Sequence, residues 1–137
     1  MKTLAAMIAL ALLAPAASFA AAPAPTAAPA GPPPADLSGT WAAVGVLGPG
    51  EPATPVCTFQ QALEMIRGSC KGPHAIGLAE GTVKGRAVSW TWKPEPYTPG
   101  TPAGATATFD GTLGADNVIT GSMSMLGRTG TLTAKKQ

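Results

Sequence analysis

Charge is scarce in this sequence. Only 12% of its 137 residues are Asp, Glu, Lys or Arg, and nine basic against seven acidic residues leave a formal charge of +2. That balance gives no electrostatic footing for nucleic acid or an anionic membrane, both of which require clustered cations. Lys135 and Lys136 are two adjacent charges and fall far short of a patch. Histidine is scarcer still: His74 stands alone, which excludes a pair of histidine zinc ligands and the His-Glu-x-x-His protease helix. No Gly-x-Ser-x-Gly nucleophile elbow and no phosphate-binding loop occurs. Glu51 and Glu95 could be drawn as a glycosidase pair, but acids on loops of this kind read as solvated charges. The expectation is a protein with no catalytic, metal or cofactor site.

Aromatics are also few, with three Trp, three Phe and one Tyr. Cysteine is limited to Cys57 and Cys70, which lack the Cys-x-x-Cys spacing of a redox pair. The one long apolar run lies at the start. Lys2 supplies a positive charge, residues 4–13 are unbroken apolar, and Pro15 ends any helix. Ser18 and Ala20 place small residues where a signal peptidase reads, so residues 1–20 read as a Sec-type secretory signal cleaved after Ala20. An uncleaved anchor would require about 20 strongly apolar residues, whereas this stretch is mostly Ala and contains a Pro. The expected location is therefore periplasmic or secreted, with no membrane insertion after cleavage. An even cysteine count in an oxidising compartment then points to one structural disulfide, Cys57–Cys70.

Residues 21–35 consist of Ala, Pro, Thr and Gly alone. They have nothing to bury, and their prolines favour an extended, semi-rigid linker. From residue 36 to residue 137 the chain changes character, and the length supports a single domain. Short runs of period two, broken by Gly, Pro and Asn, predict strands over 38–46, 55–60, 65–70, 76–83, 86–93, 105–113, 117–125 and 129–135. Trp41, Ala43 and Gly45 share one face, as do Val88, Trp90 and Trp92, and as do Ile119, Gly121, Met123 and Met125. An acid-Gly-Thr-aliphatic sequence occurs twice, beginning at Glu80 and Asp110, each time followed by a turn and a β-branched strand.

One segment conflicts with this pattern. Phe59, Ala62, Leu63 and Ile66 have helical spacing. A helix from Cys57 to Cys70 would hold the two about 19 Å apart, and a disulfide requires Cα atoms within about 7 Å. A hairpin centred on Leu63 and Glu64 opposes the cysteines directly and sets Phe59 across from Gly68, with room for one helical turn at 61–64. The hairpin is therefore expected.

Eight antiparallel strands have two edges to hide, and closure into an up-and-down barrel hides both. In such a barrel the connections alternate between ends. The short ones, near Leu63, Lys84 and Gly114, close one end. The long Pro- and Gly-rich ones, over 47–54, 71–75 and 94–104, ring the other, which collects Glu51, Lys71, His74, Lys93, Glu95 and Tyr97. Trp41, Trp90 and Trp92 point inward among Ala and Gly. They either fill a narrow barrel or, with Met123 and Met125, line a cavity for an apolar ligand.

The opening Leu37-Ser38-Gly39-Thr40-Trp41, together with the Gly-Thr-aliphatic hairpins, resembles the first strand and hairpins of lipocalin-like and avidin-like barrels. It is similar also to the bacterial periplasmic metalloprotease inhibitors, small one-disulfide barrels with a Ser-Gly-x-Trp after the signal. The first resemblance implies small-ligand binding, the second protease inhibition. The chain departs from the inhibitor pattern after Cys70 and lacks a biotin-contact set. The expected function is a non-enzymatic exported binding protein that takes a small apolar ligand or a protein partner at the long-loop end, with Trp41, Trp90, Trp92, Tyr97 and His74 as candidate contacts. The alternatives are an interaction module such as a protease inhibitor, or a structural envelope protein with a filled barrel.

Overall fold

A computed structural model of the chain describes residues 32–137. The expected signal at 1–20 and most of the expected linker lie outside the described residues. Nine strands follow one another: β1 (Gly39–Val46), β2 (Val56–Ala62), β3 (Met65–Lys71), β4 (Ala75–Lys84), β5 (Ala87–Trp92), β6 (Glu95–Pro96), β7 (Ala107–Leu113), β8 (Val118–Met125) and β9 (Arg128–Lys136). All pairings are antiparallel, and β1 pairs with β9 while β3 pairs with β4, so the sheet closes on itself.

β5 and β6 are one strand in two pieces. Ala79 faces Trp92 and Ile76 faces Glu95 in the same register on β4. Between them stands Pro94, which has no N–H to give the ladder. Counted this way, the fold is a closed eight-stranded antiparallel barrel, as the period-two runs predict.

The conflict at 57–70 resolves as the hairpin. Cys57 pairs with Cys70 and Phe59 with Gly68. The disulfide joins Cα atoms 3.9 Å apart, and both cysteines are fully buried. The optional helical turn is absent, because β2 runs straight through Gln61 and Ala62 to the turn at Leu63 and Glu64. The two acid-Gly-Thr-aliphatic stretches occupy equivalent places. Val83 pairs with Val88 across one hairpin, and Leu113 pairs with Ile119 across the other.

Large side chains from facing walls fill the interior. Trp41, Trp90, Phe59, Phe109, Leu37, Ile66, Ile119, Met123 and Leu132 are all almost fully buried. Trp90 stacks on Phe109 with centroids 4.8 Å apart and meets Phe59 edge-on at 5.6 Å. Each such aromatic pair contributes about 0.5–1.5 kcal/mol beyond simple burial. Glycine makes the room. A Cβ at Gly81 would meet the Trp90 backbone, and one at Gly45 would run into the Met123 sulfur.

One end is plugged by the segment ahead of β1. Leu37 is fully buried there, and the Trp41 indole N–H donates to its carbonyl at 2.9 Å. The Gln61 side chain accepts from the Leu37 N–H and donates to the Ala35 carbonyl. The Ala35 N–H in turn donates to the Gly85 carbonyl. Of these bonds the one between Trp41 and Leu37 is buried, and losing it would leave its groups unpaired at about 1–3 kcal/mol apiece.

Candidate functional site

The opposite end is built from the long connections. Loop 47–55 turns back beside β1, where the N–H groups of Gly45 and Ala53 donate to each other's carbonyls and Ala43 N–H donates to Pro55. Loop 72–74 is tight, with the Gly72 N–H donating to Ala75. Loop 97–106 folds back so that Gly104 N–H donates to Pro94. The Arg128 guanidinium at the start of β9 donates to the Leu47 carbonyl at 2.7 Å. This ties the β8–β9 hairpin to the first loop.

Between these segments lies a mouth of 580 Å³, a size suited to a small ligand. Residues Glu51, Pro52, Ala53, Thr54 and Pro55 make one wall, and Gly72, Pro73, His74 and Ala75 another. Trp92 and Pro94 come from the interrupted strand, and Met125 closes the far side. Four prolines, two alanines, an indole and a thioether make the lining predominantly apolar. Glu51 is its only carboxylate, and it holds neither Lys nor Arg. Trp92 is 6% exposed, and its indole N–H has no hydrogen-bond partner among the described residues. Among those same residues, no three His, Cys, Asp or Glu side chains gather as metal ligands would.

The structure separates the five candidate contacts. Trp92 and His74 line the mouth. Tyr97 is half exposed and stands outside the lining; its hydroxyl donates to the Gly72 carbonyl at 3.2 Å and its N–H to the His74 carbonyl. It therefore braces the loop that carries His74. Trp90 lies in the packed interior, held between Phe59 and Phe109, and Trp41 belongs to the plugged base. A barrel of eight strands is narrow enough that these two indoles fill it. Met123 is likewise core, whereas Met125 reaches the mouth. The open volume is thus a recess above a filled barrel, not a lumen.

Sequence reasoning passed over Pro52, Pro55, Pro73 and Pro94 as lining. Their density in the long loops was the available signal, but it reads equally as turn chemistry. No protein-family model matches this sequence, and no curated protein or solved structure is found to be similar to the chain.

Proposed function

We propose that this chain is a non-enzymatic exported binding protein whose barrel mouth takes a small apolar ligand. The observation that carries the reading is the 580 Å³ recess, walled by prolines, Met125 and Trp92 and open above a fully packed core. A filled barrel gains nothing from an apolar recess as such, since surface apolar area left in water contributes nothing to folding. The buried Cys57–Cys70 bridge supports an oxidising, periplasmic or extracellular location. The Gly39-Thr40-Trp41 opening keeps the likeness to lipocalin-like barrels as part of this reading, with ligand held at the mouth above a closed base.

Titration with N-phenyl-1-naphthylamine, an uncharged fluorophore that brightens in apolar surroundings, tests the proposal. Saturable binding by the wild-type domain, weakened about tenfold or more in Trp92→Ala with the fold intact, is the expected result. No saturable binding would sink it.

The packed interior favours a second reading, in which the same loops contact a protein and the mouth receives one of its side chains. Under that reading the fluorophore does not bind, yet loop substitutions at Pro52 or Pro73 abolish capture of the partner.

A further inference from the structure

Among the described residues two leucines stand at positive φ, Leu63 at 55° and Leu126 at 52°. Both are almost fully in water, at 88% and 80% exposure. The left-handed region costs an L-residue bearing a branched side chain, which is why such turns favour Asn or Gly. Leu126 and Gly127, with φ of 52° and 72°, form the two-residue tip between β8 and β9, where Asn-Gly is the usual pair. Leu126 therefore sits in a strained conformation and is left largely uncovered by the described residues.

Its position differs from that of Leu63. Leu126 directly follows Met125, which lines the mouth, and pairing of Met125 with Arg128 closes the tip. Arg128 in turn is bonded to Leu47, on the loop that forms the first wall. The tip is thus fixed beside the mouth. Leu63 lies at the β2–β3 turn, at the plugged end.

We infer that Leu126 is a ligand contact, and that the ligand is an elongated, uncharged apolar molecule with one end in the mouth against Trp92 and the other lying over Met125 and Leu126. This rests on the binding function proposed above and extends it by ligand shape. The lining holds neither Lys nor Arg to receive a carboxylate, and Glu51 would repel one, so an uncharged chain is the fitting chemistry.

The test uses n-alkanols from butanol to decanol as competitors of N-phenyl-1-naphthylamine, with wild type, Leu126→Asn and Leu63→Asn. In wild type, affinity should rise about fourfold per methylene until the chain passes the tip. Leu126→Asn should weaken decanol at least threefold and leave butanol unchanged, because only the longer chain reaches residue 126. Both Asn variants should melt a few degrees higher than wild type, since each relieves the same backbone strain. Leu63→Asn should bind every alkanol as wild type does. Equal loss for butanol and decanol, or no loss for either, would overturn the contact while leaving the mouth as the site. Failure of wild type to bind the fluorophore at all would overturn both readings.

Discussion

Trp41 and Trp90 carry the same side chain into the same core, yet their indole N–H groups fare differently. That of Trp41 is bonded to the Leu37 carbonyl, while that of Trp90 is buried with no partner among the described residues. Trp41→Phe and Trp90→Phe remove the same atoms. The first orphans a buried carbonyl, and the second removes an unsatisfied donor. Urea unfolding should therefore find Trp41→Phe the costlier by about 1–2 kcal/mol. Asp36 shows the residue scale acting through protons. The Ser38 N–H, donated to its carboxylate at 2.9 Å, holds the carboxyl below its usual range; the Ser38 side chain and the Lys136 charge act in the same direction. A depressed folded pKa stabilises above the unfolded value, and that contribution is lost as pH falls through the folded one. The melting profile of Asp36→Asn should therefore lie below that of wild type at neutral pH and converge on it as pH falls below about 4, where the wild-type carboxylate is itself protonated.

At the scale of elements, the β2–β3 hairpin depends on its disulfide more than on its propensity, since its own sequence has helical spacing. Replacing both Cys57 and Cys70 with Ala should cost about 2–3 kcal/mol in the loop-entropy account for a separation of 13 residues. Both cysteines are 0% exposed, so thiol reductants should leave the folded protein oxidised and act only once denaturant opens the barrel. Mass spectrometry after alkylation reads the oxidation state, and urea unfolding of the double variant reads the stability. The β5–β6 strand makes a related point: Pro94 breaks the ladder where the strand meets the mouth, and the residue that interrupts the hydrogen bonding also lines the site.

For the whole molecule, the decisive feature is that the two ends are unlike. The base is sealed by Leu37, Gln61 and Trp41, and the mouth is ringed by loops. A chain beginning at Gly39 loses a buried leucine and leaves the Trp41 N–H without its acceptor. It should therefore be about 3–5 kcal/mol less stable than one beginning at Ala35. Chemical denaturation of the two truncations checks this. Because the damage is at the base, binding at the mouth per folded molecule should be the same in both, as fluorophore titration below the unfolding transition would show.

Much of this was legible in the residues, because period two and turn chemistry are local properties. Alternation in Trp41-Ala42-Ala43 and Val88-Ser89-Trp90 is enough to mark the inward faces. The spacing of Cys57 and Cys70 is enough to choose hairpin over helix, by the reach of a disulfide alone. Inward-pointing, however, does not distinguish packing from lining. Whether Trp41, Trp90 and Trp92 meet neighbours or open space depends on side chains brought across from other strands. Phe59 and Phe109 reach Trp90 from segments far away in sequence, and Leu37 reaches Trp41 from outside the sheet. The sequence by itself determined eight strands, their faces and the Cys57–Cys70 pairing, since each follows from short-range geometry. Only the tertiary structure decided that the barrel is full, that Tyr97 is a brace and that the open volume is a proline-walled mouth, because those depend on how distant side chains divide one small interior.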